Sequence, residues 1–352
     1  MANDKSKNIT VIGCGRWASF HAWYQAVRLG HNVMMWGRAE DPMYIELEKT
    51  RKNDFWELPD NVHCSSNLKE ALEFSDYIII VISAQAMRVF SPILAKELAS
   101  ITDKSKKTFI LCMKGLDEVN QDRLSVILRR ELDAYPNDII ESSICVWVGP
   151  GHIQEFLEGQ PGVMIIDGED RVVTEHVINK FKSSSMKLYA GDDLIGCEVG
   201  AAAKNVLGIA AGILDGAGLS SLKGALMARG VAEVSRLIMA MGGKRMTSYG
   251  LSHLGDFEAT LFSRNSNNRR FGEALIKYVQ EEKQLHKDIV KHLRMPLAEG
   301  VGNSRAIYML SKKYGIEMPI NKLIYEVLHQ GKDPFVGFKE IFMRGNMDEF
   351  HY

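Results

Sequence analysis

The stretch 9–36 constrains the fold more than any other part of the chain. Ile9–Ile12 is a short, mostly β-branched run of the kind that forms a buried strand. The turn Gly13–Gly15 follows, residues 17–29 have a helical pattern, and Val33–Trp36 resembles a second strand. A strand, a tight glycine turn, a helix and another strand in this order predict a βαβ unit with parallel strands.

The glycine turn has the pattern G-x-G-x-x-A, with Gly13, Gly15 and Ala18 at the small positions and Arg16 and Trp17 between them. In dinucleotide sites the first glycine permits the tight turn, and the second lets the backbone approach a pyrophosphate. The first turn of the helix also offers N–H groups to phosphates. The pattern alone also fits an ordinary strand–helix turn, but its position in a βαβ unit predicts dinucleotide binding.

The end of the second predicted strand bears on the choice of cofactor. The strand ends at Trp36 and is followed by Arg38 and Glu40. An arginine at this place suits the 2′-phosphate of NADP, whereas an acid suits the ribose hydroxyl of NAD. Arg38 therefore favours NADP and Glu40 keeps NAD open, and Arg38 could also be a plain surface charge.

Further strands and helices alternate up to about residue 190, which predicts a doubly wound parallel sheet. The predicted strands are 77–82, 108–112 and 143–148, with 163–166 and 186–189 as extensions, and the helices between them are 68–74, 87–98 and 121–135. After about residue 193 only helical patterns occur, at 194–214, 222–241, 271–292, 303–313 and 320–330. We therefore expect an α/β chain with a Rossmann-like dinucleotide-binding domain over 1–192 and an all-α substrate and catalytic domain over 193–352.

Composition narrows the class of protein. The 352 residues carry a net charge of −1, which argues against nucleic-acid binding, and 46% are hydrophobic, which suits a sizeable core. The five cysteines form no C-x-x-C pair, so we expect neither a metal site nor a disulfide framework. The first eight residues are polar, and the most apolar segment is interrupted by Lys204. We therefore expect a cytoplasmic protein without a membrane-inserted segment.

Lys204 is the only charged residue in the apolar stretch 199–214, and Asn205 is its only other polar side chain. The stretch predicts a helix that is buried nearly all round. Burying an unpaired ammonium is costly, and the usual outcome is a lowered pKa or a partner. Lys204 is therefore a candidate acid–base residue, although a lysine can also extend its head group to solvent.

Two more segments carry candidate binding residues. Lys114 follows the strand 108–112, and ligands of open α/β sheets bind beyond the carboxyl ends of the strands. The segment 263–272 holds Arg264, Arg269 and Arg270 among Ser and Asn residues, a donor set suited to phosphate. Both segments could instead be solvated polar loops.

Taken together, these motifs resemble the soluble NAD(P)-dependent glycerol-3-phosphate dehydrogenases over nearly the whole chain. The matching pieces are short, but their joint order and spacing are specific. They are Gly13-x-Gly15, Trp36-Gly37-Arg38, Leu58-Pro59, Lys114-Gly115-Leu116, Gly149-Pro150 with Glu155, Lys204-Asn205, Gly255-Asp256, Asn268-Arg269-Arg270-Phe271-Gly272, Glu299-Gly300 and Met318-Pro319-Ile320.

The resemblance implies roles for individual residues. It implies a hydride transfer between NAD(P)H and a small phosphorylated ketone, dihydroxyacetone phosphate, to give sn-glycerol 3-phosphate. Lys204 would act as the acid–base group, helped by Lys114 and Asp256. The substrate would be surrounded by Lys114, Gly149, Asn205, Asp256, Thr260, Arg264, Asn268 and Arg269. The cofactor would be held by Gly13, Gly15, Arg16, Trp17, Trp36 and Arg38, together with Lys114, Arg269 and Glu299.

Three departures from the family pattern keep other readings open. Asn267 stands where the family usually has an arginine, His152 lies in a loop that usually reads Ser/Thr-Phe-Ala, and Ala18 replaces a glycine. A related dehydrogenase for another hydroxy acid, an opine or a polyol phosphate is one alternative. A non-catalytic NAD(P)-binding regulator is another. The apolar helix that carries Leu226, Val231, Ile238 and Met239 is either core or the interface of a homodimer.

Overall fold

The computed structural model describes residues 7–53, 57–103, 105–135, 141–282, 289, 293 and 298–342. The chain divides into two compact units. The first unit comprises Met1–Met113, Leu124–Val148 and Ile153–Asp192, and the second comprises Lys114–Arg123, Gly149–His152 and Asp193–Tyr352. Two short segments of the second unit thus come from the part of the sequence that we expected in the dinucleotide-binding domain.

The first unit is built on one eight-stranded sheet in the order β3-β2-β1-β4-β5-β6-β7-β8. Neighbouring strands pair parallel except β6 and β7, which are antiparallel. The strands are β1 (Asn8–Ile12), β2 (Asn32–Trp36), β3 (Val62–Ser65), β4 (Tyr77–Ile80), β5 (Lys107–Leu111), β6 (Ser142–Val148), β7 (Gly162–Gly168) and β8 (Met186–Ala190).

Helices connect these strands and bury the sheet. They are α1 (Arg16–Trp23), α2 (Pro42–Thr50), α3 (Leu68–Phe74), α4 (Met87–Ser100), α5 (Leu124–Asp133), α6 (Ile153–Leu157) and α7 (Arg171–Phe181). The central strands are buried on both faces, which explains their continuous apolar runs: Ile78, Ile79 and Ile80 of β4 have no exposed surface. The predicted doubly wound sheet is confirmed, with β3 as a strand that the sequence patterns did not reveal.

The order of strands places the ends of β1 and β4 side by side at a topological switch point. Ile12 at the end of β1 pairs with Trp36 on one side and Ile80 on the other. The chain adds β2 and β3 on one side of β1 and β4 to β8 on the other. In open α/β sheets, ligands bind in the crevice that such a reversal opens beyond the strand ends. The glycine turn directly follows Ile12 and therefore lies at this place.

The second unit is helical in the part of the chain that the structure describes. Its helices are α8 (Leu194–Gly216), α9 (Lys223–Ala240), α10 (Asp256–Phe262), α11 (Asn267–Glu282), α12 (Glu299–Tyr314), α13 (Pro319–Gln330) and α14 (Pro334–Phe342). The predicted helices all occur, although most of the predicted segment 283–292 lies outside the described residues. Leu226, Val231 and Ile238 of α9 are core residues, while Met239 is 45% exposed.

Helix α8 is the central helix of this unit, because its residues 196–214 are all buried. By length and composition it would also qualify as a membrane span, but 89% of the qualifying window is buried inside the protein. Glycines allow α11 to pack directly on it. A Cβ on Gly212 would lie 1.9 Å from the carbonyl oxygen of Arg269, and one on Gly272 would lie 2.2 Å from that of Ile209. Helix α8 is thus a core element of the second unit, and Lys204 lies on it.

Candidate active site

Lys204 lies in the middle of α8 and is only 8% exposed. Its Nζ donates a hydrogen bond to Oγ1 of Thr260 at 3.0 Å and lies 3.3 Å from Oδ1 of Asp256. The Thr260 hydroxyl donates its own proton to the backbone oxygen of Asp256 at 2.8 Å, so its oxygen accepts from Lys204. An ammonium has three donors. Two of them are used here, and among the described residues no partner takes the third.

Asp256 begins α10 and lies between two lysines. Its Oδ2 is 2.6 Å from Nζ of Lys114, which also donates to the backbone oxygen of Gly149 at 2.9 Å. Burial raises the pKa of Asp256, but the two ammonium groups together hold it below its ordinary value. The carboxyl group is therefore ionised and offsets part of the positive charge of Lys114 and Lys204.

The pKa of Lys204 is lowered, first by burial and then by the neighbouring ammonium of Lys114. Asp256 and Glu299 oppose this shift. The ammonium of Lys204 is thus held by partners but binds its proton less tightly than a lysine in water. This is the state that suits a general acid, because proton transfer is most effective when the pKa lies near the working pH.

An amide chain links α8, α11 and α12 beside the lysines. Asn268 donates through Nδ2 to Oδ1 of Asn205 at 3.0 Å, and Asn205 donates to Oε2 of Glu299 at 3.1 Å. Oδ1 of Asn268 accepts from the backbone N–H of Gly300 at 2.9 Å. Burial raises the pKa of Glu299, against the opposing effect of Lys204 and Lys114. Both amide orientations are fixed by these bonds.

Eight residues predicted from sequence thus fall in a single network within the second unit, because Asn205 also donates to the backbone oxygen of Lys114 at 3.0 Å. They are Lys114, Gly149, Lys204, Asn205, Asp256, Thr260, Asn268 and Glu299. Asn303 of α12 was missed, although it fixes the segment that carries Lys114: its Nδ2 donates to the backbone oxygen of Lys114 at 3.3 Å, and its Oδ1 accepts from the N–H of Leu116 at 3.1 Å. Nothing local in the sequence marks this role.

The arginines of the predicted phosphate segment differ from one another in exposure and in partners. The guanidinium of Arg269 is bound to carboxylates, with Nε 2.6 Å from Asp215 and Nη2 2.6 Å from Glu273. Its Nη1 donates to the backbone oxygen of Ser263 at 3.3 Å. Arg264 and Asn267 are exposed. Arg269 is therefore already largely neutralised within the fold, and its phosphate-binding role stays a prediction.

The glycine turn in the first unit has the backbone geometry that a dinucleotide needs. Gly13 has φ +124°, and a Cβ there would lie 2.2 Å from the backbone oxygen of Val81, so only glycine fits. Gly15 precedes α1 with extended backbone, and a Cβ built on it meets nothing within 4 Å. Open space beside a helix N-terminus whose flanking residue has no side chain suits a pyrophosphate. The turn therefore fits the cofactor predicted from sequence.

Four further predicted cofactor residues, Arg16, Trp17, Trp36 and Arg38, lie in the first unit. Arg16 and Trp17 open α1, and the Trp17 ring stacks on Phe20 with centroids 4.9 Å apart. Trp36 is buried at the end of β2 and donates through Nε1 to the backbone oxygen of Ser66 at 3.1 Å. Arg38 is 66% exposed, and its guanidinium nitrogens lie 3.8 Å from both Glu40 and Asp41. Arg38 and the alternative Glu40 thus lie in the same exposed loop.

A dinucleotide-type glycine turn on a doubly wound sheet, together with a buried lysine–carboxylate pair in a helical unit, defines the class of nicotinamide-dependent dehydrogenases. Residues 8–173 match the family model described as NAD-dependent glycerol-3-phosphate dehydrogenase N-terminus, and residues 193–338 match the model described as its C-terminus. The chain belongs to the NAD-dependent glycerol-3-phosphate dehydrogenase family.

Individual relatives resemble the chain along its whole length. It is 32% identical over 346 residues to glycerol-3-phosphate dehydrogenase, NAD(P)+, of Clostridium botulinum (strain Alaska E43 / Type E3), covering 97% of this chain and 98% of the relative. It is 34% identical over 343 residues to the same enzyme of Shouchella clausii (strain KSM-K16), covering 96% of each. The crystal structure of glycerol-3-phosphate dehydrogenase from Coxiella burnetii superposes with a TM-score of 0.83 at 27% identity, covering 96% of this chain and 99% of that one.

Proposed function

We propose that this protein is an oxidoreductase that transfers a hydride between NAD(P)H and dihydroxyacetone phosphate, giving sn-glycerol 3-phosphate for the synthesis of glycerophospholipid precursors. The observation that carries the proposal is the buried Lys204 ammonium, held by Asp256 and Thr260 with one donor left for a substrate oxygen. The names of the relatives support the substrate.

The nicotinamide, when bound, supplies the hydride that the ketone carbon accepts. Negative charge develops on the ketone oxygen, and Lys204 stabilises it and donates the proton that completes the alcohol. Asp256 keeps Lys204 protonated until that moment, and Lys114 adds positive charge beside the same carboxylate. In the oxidation direction, the neutral amine of Lys204 takes the hydroxyl proton back.

The substrate phosphate needs donors away from the reacting carbon, because binding at a remote group fixes the ketone in position. We propose that Asn268, Arg264 and Arg269 supply them, with Gly149 and Asn205 nearer the lysines. We also assign residues 1–192 as the dinucleotide-binding domain and residues 193–352 as the substrate and catalytic domain. The cofactor would lie against Gly13, Gly15, Arg16, Trp17, Trp36 and Arg38, with Lys114, Arg269 and Glu299 near its nicotinamide end.

The test is to follow NADH and NADPH absorbance separately while the purified protein is given dihydroxyacetone phosphate. We expect oxidation of one or both cofactors, and sn-glycerol 3-phosphate as the product by mass spectrometry and chiral analysis. A panel of ketones with and without phosphate is run in parallel. Turnover restricted to a ketone other than dihydroxyacetone phosphate would contradict the substrate assignment.

A second substrate class has a specific observation in its favour. Arg269 is neutralised by Asp215 and Glu273, and exposed Asn267 offers no charge at the place where the family usually has an arginine. These features leave less positive charge for a phosphate at this place, and the alternative substrates are another hydroxy acid, an opine or a polyol phosphate that binds in a different position. The ketone panel distinguishes the two, because the second class predicts a higher kcat/KM on such a compound than on dihydroxyacetone phosphate.

A non-catalytic NAD(P)-binding regulator would bind the cofactor tightly and turn over no ketone, and the Lys114–Asp256–Lys204 arrangement argues against it.

We further propose a cytoplasmic homodimer. None of the five cysteines forms a disulfide bond, as in a reducing compartment, and exposed Met239 and Met246 offer apolar surface for a second copy. Light scattering after size-exclusion chromatography measures the mass of the particle in solution. A mass twice that of the chain supports the dimer, and the mass of one chain contradicts it.

A further inference from the structure

His253 is the buried histidine nearest in sequence to the acid–base pair, three residues before Asp256. It has no exposed surface, and it lies in Leu251–Gly255, a wide turn of π-helical geometry that leads into α10. Such turns are rare and frequently accompany functional sites. Its ring stacks on Phe257 at 5.9 Å between centroids, which fixes the plane of the imidazole.

The hydrogen bond of His253 determines its tautomer. Nδ1 lies 2.9 Å from the backbone oxygen of Gly200, and a carbonyl oxygen can only accept, so Nδ1 carries the proton. Burial lowers the pKa of His253 to about 4, which keeps the ring neutral at ordinary pH. Nε2 is then an unprotonated nitrogen that is buried without a hydrogen-bond partner among the described residues. The ring adds no positive charge beside Lys204.

The acceptor of this bond belongs to the turn of α8 that carries Lys204. Gly200 precedes Lys204 by four residues, so in an α-helix its carbonyl also accepts the backbone N–H of Lys204. A Cβ on Gly200 would lie 2.7 Å from Cβ of His253, so the glycine allows the two elements to approach closely. The imidazole thus connects the backbone of α8, one helical turn before Lys204, to the turn that precedes Asp256.

We infer that His253 is a positioning residue that fixes the separation of Lys204 and Asp256 through the carbonyl of Gly200; this rests on the proposed acid–base role of Lys204. The groups that face the Lys204 ammonium are Asp256 on α10, Lys114 on the segment 114–123 and Glu299 on α12. Burial and Lys114 lower the pKa of Lys204, and Asp256 raises it. If the two elements separate, the ion pair of 3.3 Å weakens and Lys204 loses its proton at lower pH.

The test compares two substitutions of different hydrogen-bonding ability. His253→Asn places an amide donor near the position of Nδ1, whereas His253→Leu fills similar space without a donor. The kcat for ketone reduction is measured against pH for both variants and for the wild type. In the plot of kcat against pH, we expect the fall at alkaline pH, the alkaline limb of the profile, to begin about one pH unit lower for His253→Leu than for the wild type. This shift corresponds to a tenfold change in the proton affinity of Lys204. We expect His253→Asn to keep the wild-type limb.

His31 of the first unit provides a matched control, because it is also buried and its Nδ1 is bonded at 2.8 Å, in this case to Gln25. His31→Asn should change thermal stability and leave the alkaline limb in place. A folded His253→Leu variant with the wild-type limb would overturn the inference. Equal impairment of the Asn and Leu variants would also overturn it, because the donor would then not matter.

A measurement without catalysis covers the case in which His253→Leu does not fold. In ¹⁵N-histidine-labelled wild type, NMR should show His253 as the neutral tautomer protonated on Nδ1, and protonation on Nε2 would overturn the inference. Wild-type protein that turns over no ketone would refute the proposed function and leave the tautomer result standing. Wild-type turnover with unmoved pH profiles would refute only the role of His253.

Discussion

The glycine turn of the first unit and the lysine cluster of the second are built in opposite ways. The turn depends on missing side chains, because Gly13 packs against the backbone of Val81 and Gly15 leaves open space beside the start of α1. The cluster depends on buried charged side chains, with Asp256 between Lys114 and Lys204. The glycine turn suits a ligand that binds at a helix N-terminus, and the lysine cluster shifts the pKa of Lys204. Substitutions in the first should therefore change cofactor binding, and those in the second should change kcat.

The largest expected effect is that of Lys204→Met. The substitution keeps most of the side-chain volume but removes the proton donor, so kcat for ketone reduction should fall about 10²- to 10⁴-fold with little change in cofactor affinity. Steady-state kinetics and fluorescence titration with NADH and NADPH measure the two quantities. Lys107→Met is the control, because Lys107 is fully buried and paired with Asp76 and Asp103 in the first unit. It should lower stability while the folded enzyme keeps its kcat; a Lys204→Met variant with wild-type kcat would refute the catalytic assignment.

The two glycines of the turn should respond differently to alanine. Gly13→Ala places Cβ against the backbone of Val81 at a φ of +124°, so it should destabilise the fold of the turn and lower the thermal midpoint. Gly15→Ala meets no atom of the protein, so the midpoint should hold while Kd for the cofactor rises about tenfold or more. Calorimetry and fluorescence titration measure both. Unchanged affinity in Gly15→Ala would mean that no pyrophosphate lies against this turn.

A smaller effect should follow from Arg38→Ala. If Arg38 pairs with the 2′-phosphate, KM for NADPH should rise about tenfold while KM for NADH stays nearly constant. Glu40→Ala is the companion variant and should act on NADH instead. Initial rates with each cofactor at saturating ketone give both constants. Equal responses of the two cofactors to Arg38→Ala would identify Arg38 as a surface charge.

The smallest effect on activity is expected at Glu233, a buried carboxyl on α9 outside the cluster. It accepts from the backbone N–H groups of Ile320 and Asn321 and from Nδ2 of Asn321, yet burial raises its pKa to about 7. The folded state therefore holds this proton more tightly than the unfolded chain. The contribution of Glu233 to the free energy of unfolding should be complete below the pKa of the unfolded chain. It should fall by about 3 kcal/mol as the pH rises from about 4.5 to 7.

Glu233→Gln should remove most of that slope, because an amide does not titrate in this range. Urea unfolding at a series of pH values measures it, with kcat at neutral pH expected to stay within about twofold of wild type, as for changes away from the site. The amide leaves one backbone N–H, of Ile320 or Asn321, without its acceptor, so Glu233→Gln should also be less stable than the wild type at low pH. Equal slopes in the variant and the wild type would assign the pH dependence to other groups.

Sequence patterns predicted the sheet, the glycine turn and Lys204, because each leaves a local signal: continuous apolar runs, glycine spacing and a lone charge in an apolar helix. β3 was missed because Val62–Ser65 has neither length nor an apolar run. The pairing of Arg269 with Asp215 was missed because the partners are far apart in sequence and meet only when α11 packs on α8. The roles of Asn303 and His253 were missed for the same reason, because each side chain binds a backbone carbonyl of an element that is distant in sequence.

A crystal structure of the enzyme with the oxidised cofactor and sn-glycerol 3-phosphate tests directly whether Lys204 is the acid–base residue. We expect Nζ of Lys204 to lie at about 2.6–3.2 Å from the hydroxyl oxygen on the carbon that faces the nicotinamide. Asp256 and Thr260 should keep their contacts with Lys204. A complex in which the hydroxyl is bound by other groups, with Lys204 contacting only Asp256 and Thr260, would contradict it.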